Sequence, residues 1–124
     1  MKRMPVADMT EEQLVERFVA IALEQDYVER MDEPVSEYNR LFGLMDEVKQ
    51  ELKSRPDDGR HALIAFLDHE NAHVRLKAAI ATLALAPEAA YATLQALSDR
   101  NRPPEAGNAR GMLSALDNGT YKPS

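Results

Sequence analysis

At 124 residues, 44% of them hydrophobic and 29% charged, the chain has the length and apolar content of one domain with one core, read here as residues 1–124. No apolar run approaches the roughly 18 residues of a membrane helix, so a soluble protein with no membrane partner is expected. The formal charge of −6 argues against a nucleic-acid partner, which needs a basic face, and the absence of cysteine excludes disulfides, thiolate catalysis and thiolate metal sites.

The amino terminus begins Met1-Lys2-Arg3-Met4-Pro5 and continues through Asp8 and Thr10 instead of a hydrophobic region, so it does not read as a secretory signal. A cytoplasmic location and a flexible segment over residues 1–9 are the expectations. Thr10 and Gln13 stand at capping-box spacing, and Leu14, Phe18, Ile21 and Ala22 follow at helical intervals. This first helix runs at least to Gln25 and at most to Met31, with Gln25 and Asp26 weakening its stripe. Pro34 opens a second helix, whose stripe of Val35, Tyr38, Leu41, Phe42, Met45, Val48 and Leu52 is the most sustained in the chain and extends to about Lys53.

Ser54 to Gly59 carries turn chemistry, and either Asp57 or Asp58 can cap the next helix. This short third helix turns Leu63, Phe66 and Leu67 inward. Asp68 to Asn71 interrupts, with Asn71 as an N-cap, and a fourth helix carries Val74, Ala78, Ala79, Ile80 and Leu83. Pro87 starts a fifth helix over Ala90, Leu94 and Leu97, which the stretch Asn101 to Pro104 ends. The sixth holds Ala109, Met112, Leu113 and Leu116 before Gly119 stops it, leaving residues 118–124 as a tail. The pattern predicts an all-α fold of about six helices in three antiparallel pairs, and no run of period two predicts a strand.

Arg40, Arg75 and Arg110 lie 35 residues apart, each in the second member of an expected pair. Leu41, Met45 and Val48 of the first copy match Leu76, Ile80 and Leu83 of the second, while the third degenerates to Gly111, Ala115 and Asn118. Such a period is a repeat signature, and an end unit that caps the stack is free to diverge.

The stretch Leu63 to Leu83 resembles one HEAT repeat: an apolar first helix, Asp68 at the turn, Val74-Arg75 opening the second helix and the small pair Ala78-Ala79. Nearly the whole chain is similar to a family of short bacterial HEAT-like proteins of unknown function, through Asn39-Arg40-Leu41-Phe42, Val74 to Ala79 and the ending Leu116 to Pro123. That resemblance implies a HEAT/armadillo-like α-α superhelix and a structural ion pair between Asp68 and Arg75. It further implies that Asn39, Arg40, Glu47, Lys77 and Ser114 line a concave, partner-binding face, with Lys77 exposed. For Asn39 a hydrogen bond to an adjacent loop is the competing expectation.

His69-Glu70-Asn71-Ala72-His73 fits H-E-x-x-H, the pattern that places two zinc-binding imidazoles on one helix face with a glutamate base. Here it crosses a turn. Asn71 caps the next helix, so His69 falls outside the i, i+4 geometry, and His61 is the one further histidine; both members of the motif are read as polar turn residues. No nucleophilic triad and no phosphate-cradling loop is present. The reading is therefore a non-enzymatic protein-binding or regulatory adaptor with no catalytic residue, metal or cofactor. The alternatives are an acidic inhibitor or immunity-type partner of a basic enzyme, since residues 1–59 hold 8 basic against 15 acidic side chains, and a zinc hydrolase built on His69, Glu70 and His73. The glutamates of the first two helices are read first as solvated outer faces.

Overall fold

The computed structural model describes residues 4–124, and among them there are helices and no strand. Five α-helices occur: α1 (Glu11–Arg30), α2 (Val35–Ser54), α3 (Ala72–Thr82), α4 (Pro87–Arg100) and α5 (Glu105–Asp117). A 3-10 segment, Gly59–Asp68, stands where the third of the six helices is expected, and a short 3-10 turn covers Val6–Asp8.

The chain divides into two compact units, one ending at Ala62 and the other spanning Leu63–Ser124. In the first, α1 packs against α2 as a hairpin and the turn at Val6–Asp8 rests on α2. Thr10 and Gln13 form the complete capping box, each side chain bonded to the other's backbone N–H at 3.1 and 2.9 Å. α1 then runs through Gln25 to Arg30, and Gln25 is fully buried with Leu14, Phe18, Ile21 and Ala22. A single amide among apolar neighbours thus leaves the stripe intact. On α2 the inward face is Leu41, Met45, Val48 and Leu52, the heart of the predicted stripe, while Val35 and Phe42 turn outward.

The segment expected to be flexible over residues 1–9 is held where it is described, and residues 1–3 lie outside the described residues. Arg55 donates from one guanidinium nitrogen to the carbonyls of Val6 and Met9 at 3.2 and 2.7 Å, and Arg17 donates to the carbonyl of Met4 at 3.0 Å. Met9 is buried. The arginines from α1 and from just past the end of α2 thus bond the carbonyls of Met4 and Met9, and that of Val6, which also accepts from Met9 N–H at 3.2 Å.

Between α2 and the 3-10 segment, Asp57 and Asp58 adopt left-handed backbone at φ 59° and 57°, a region aspartate tolerates better than most residues. Asp58 caps the 3-10 segment by accepting from the backbone N–H of Arg60 at 3.1 Å. A Cβ on Gly59 would meet the carbonyl oxygen of Leu52 at 2.9 Å, so the close approach requires glycine.

In the second unit α3 packs on α4 and α4 on α5, with α3 also touching α5: a three-helix cluster whose buried residues include Val74, Leu76, Leu94 and Ala109. Asn71 caps α3 by accepting from Val74 N–H at 3.0 Å, Pro87 opens α4, and Asn101 ends it in left-handed backbone at φ 56°. Gly119, at φ 77°, comes just after the end of α5, and the tail folds back through a bond from Tyr121 N–H to the Ala115 carbonyl at 3.1 Å. No helix among the described residues is long and apolar enough to cross a membrane.

Candidate functional site

The residues expected to bind a partner are divided between the two units. Asn39, Arg40 and Glu47 are exposed on α2, on the side turned away from its buried stripe. Lys77 on α3 and Ser114 on α5 belong to the other unit; Ser114 is exposed, but Lys77 is half-buried and engaged, contrary to the expected open position. Asn39 makes no side-chain hydrogen bond among the described residues, so the expected bond to a loop is not formed. Arg40 is tied to its own helix, donating to Glu37 at 2.5 and 3.2 Å; that bond holds the Glu37 carboxyl below the usual carboxylate range.

The turn end of the α1–α2 hairpin has an unusual surface. Leu23, Tyr27, Met31, Val35 and Phe42 are all exposed there, Val35 to 74% and Tyr27 and Phe42 to more than half. A groove between the helices brings Glu24 and Tyr27 of α1 to Glu33, Pro34 and Glu37. On the hairpin, too, Tyr38 bonds to Glu29, and burial followed by that carboxylate pushes its phenol up to about 12.

His69 and His73 sit in different settings. His69 lies in the turn before α3, half-buried, its Nδ1 accepting from Asn71 N–H at 3.0 Å. His73 is in the first turn of α3 with no exposed surface. Its reading as a polar turn residue is corrected: the first turn of α3 faces the interior. His61 places Nδ1 2.9 and 2.8 Å from the carbonyls of Asp57 and Asp58, and since carbonyls only accept, that nitrogen carries a proton. Among the described residues no three histidine or carboxylate groups are placed to hold a metal ion.

The expected ion pair between Asp68 and Arg75 is absent. Arg75 instead donates from one guanidinium nitrogen to the carbonyls of His69 and Glu70, at 2.7 and 3.1 Å, while the Asp68 side chain is exposed. Arg110, one 35-residue period on, does the same kind of work: it donates to the Ser98 carbonyl at 2.9 Å and to Asn101 Oδ1 at 2.6 Å. Both arginines satisfy oxygens left over where the preceding element ends. Arg40, bonded to Glu37, does not share this role.

Near Arg75 the second unit opens into a notch. One part is lined by Asp68, Arg75, Ala96, Leu97 and Arg100, and the adjoining part by Ala72, Leu97, Arg100, Arg102, Pro103 and Glu105. The Arg75 guanidinium is pulled below its ordinary value first by burial and then by the charge of Arg100, with Glu105 acting in the opposite sense. Arg100 and Arg102 meet no side-chain or carbonyl acceptor among the described residues.

A family model described as a domain of unknown function (DUF2019) matches residues 12–117, which covers every α-helix except the first residue of α1. The chain belongs to this family. A solved structure, the crystal structure of protein RPA1889 from the bacterium Rhodopseudomonas palustris CGA009, is similar to it, with a TM-score of 0.91 and 40% sequence identity over 98% of this chain and 100% of that one. No curated protein matches the sequence.

For this DUF2019 chain the residues that sequence reasoning missed are Arg100 and Arg102. They flank Asn101 in a stretch whose only evident signal was helix termination. The available cue was compositional: two arginines astride a left-handed turn residue, with Asp99 the nearest acid in sequence.

Proposed function

We propose that this DUF2019 protein is a non-enzymatic, cytoplasmic binding module whose partner is another protein, its helices stacked in the HEAT-like manner that the 35-residue spacing suggests. The observation that carries the reading is the turn end of the α1–α2 hairpin. Isolated surface apolar residues are ordinary, but five large ones within residues 23–42 expose apolar area that water disfavours. Glu24, Glu33 and Glu37 line the groove beside them, and residues 1–62 carry 15 acidic against 9 basic side chains. A basic protein surface with apolar side chains is the complement. The same charge favours, as a second reading, an inhibitor that covers a basic enzyme.

The test is affinity capture from the native cell with the wild-type chain and with Tyr27→Ser/Phe42→Ser, two exposed positions whose replacement leaves the core untouched. The expected result is a basic partner retained by the wild type, released by salt and lost with the variant. Identical capture by both proteins would overturn the hairpin reading. A captured enzyme whose activity the chain suppresses would select the inhibitor, and turnover that depends on stoichiometric bound zinc would overturn the non-enzymatic reading altogether.

A further inference from the structure

We infer that the notch beside the α4–α5 turn is a carboxylate-binding site that seats an acidic peptide segment of a partner protein, Arg100 and Arg102 taking the carboxylates and the exposed Ala96 and Pro103 meeting the neighbouring apolar side chain. The proposal goes beyond the hairpin surface and does not depend on it.

Three observations carry it. First, two exposed guanidinium groups stand side by side at the notch. Each carries five N–H donors in a planar fork that matches a carboxylate in a bidentate manner. Arg75 has spent donors on two carbonyls and is fixed in place, whereas Arg100 and Arg102 have no acceptor among the described residues. Second, the arrangement is electrostatically unsatisfied. Arg75 and Arg100 repel one another across the first part of the notch, and the two parts together hold three arginines against two carboxylates, Asp68 and Glu105. Glu105 is buried, so its field reaches Arg75 while little of its surface is open to solvent. An incoming anion relieves the repulsion. Third, the notch has an apolar surface as well as a charged rim: Ala92 and Ala96 are exposed along it and Ala72 half-buried, with the buried Leu97 beneath both parts and Pro103 as a stiff, exposed wall. A free inorganic anion gains nothing from that surface, whereas a peptide alternating acidic and apolar side chains uses both. A polynucleotide is disfavoured because residues 63–124 hold six basic and six acidic side chains and so present only a local positive charge.

The experiment titrates the isotope-labelled full chain with a capped peptide alternating glutamate and leucine, with its glutamine counterpart, and with inorganic phosphate alone, following the arginine side-chain and Leu97 resonances. The glutamate peptide should shift Arg100, Arg102 and Leu97 in a saturable, salt-sensitive way, and the glutamine peptide should not. Arg100→Gln/Arg102→Gln should weaken binding by about tenfold or more, as expected for lost bidentate charge-assisted bonds. Asp68→Asn, which removes a competing exposed carboxylate, should tighten it. This opposite-sign variant decides the question even if the arginine double variant fails to fold. Equal binding of the two peptides, an unchanged affinity in both variants, or phosphate shifting the same signals as tightly as the peptide would overturn the assignment.

Discussion

In the unit that ends at Ala62, Arg30, Arg40, Arg55 and Arg60 each face a carboxylate, from Asp26, Glu37, Glu51 and Asp58 respectively, at 2.5 to 3.3 Å. In Leu63–Ser124 no arginine does so among the described residues: Arg75 bonds to two backbone carbonyls, Arg110 to one carbonyl and the amide oxygen of Asn101, and Arg100 and Arg102 find no acceptor. Supply explains part of the difference, since residues 1–62 offer 15 acidic side chains to 9 basic ones and residues 63–124 six to six. Helix geometry explains more. On α1 and α2 the acid stands three or four residues before its arginine, where the two side chains are neighbours on one helix face. Arg75 and Arg110 come after turns, where stray carbonyls are closer than any carboxylate. An arginine that fills stray carbonyls holds the turn it follows, whereas an exposed pair on one helix face such as Arg40 with Glu37 contributes little.

Substitutions that sharpen the comparison begin with the cores. Phe18→Ala in the first unit should cost about 3–5 kcal/mol and Leu94→Ala in the second about 2–5, both side chains being fully buried. Reversible urea denaturation measures each, and a value near that of a surface substitution would show the helix concerned to be wrongly phased.

Arg75→Ala should come next, at about 1–3 kcal/mol, because two carbonyls lose a charged donor. Arg40→Ala, at an exposed pair, should be indistinguishable from wild type in the same denaturation. Combining Arg75→Ala with Asp68→Ala should give additive losses, and measurable coupling would restore the ion pair that the carbonyl bonds replace. Loss of the N-caps should be smaller and alike in the two units, about 1 kcal/mol for Thr10→Ala and for Asn71→Ala, read by urea midpoint at constant slope.

The gentlest probe is pH. Tyr38 is held protonated by burial and by Glu29, so its folded value of about 12 lies above the unfolded value near 10. Its contribution to stability is present in full below about pH 10 and is lost as pH rises toward 12. Ultraviolet titration of wild type and Tyr38→Phe should show the missing phenol to be one that ionises near the top of the range.

How much of this was legible in the sequence depends on what each signal reports. Caps and breakers work through neighbours in the chain, so Thr10 with Gln13, Asn71, Pro87 and Gly119 mark boundaries that the structure keeps. Periodicity reports which residues turn inward but not the hydrogen-bond ladder, and Leu63 and Leu67 are buried from a 3-10 segment where an α-helix was expected. Gln25 and His73 are buried because their helix positions face inward, although their composition points outward. The site was least legible. A sequence displays its carboxylates but not its unsatisfied carbonyls, so it matches Arg75 to Asp68, and the unmatched Arg100 and Arg102 emerge only once every acceptor near them is known.

The bonds from Arg55 to the carbonyls of Val6 and Met9 span 49 and 46 residues of chain. Ties of that reach form after the helices they join, because closing so long a loop costs entropy that local turns do not. They therefore belong to the last steps of assembly and the first of disassembly, and weakening them should hasten unfolding while leaving the folding rate nearly unchanged. Arg55 acts in this sense as a latch on lifetime: an Arg55→Ala chain should reach its native state as quickly as the wild type and leave it sooner, a difference that stopped-flow unfolding reads directly.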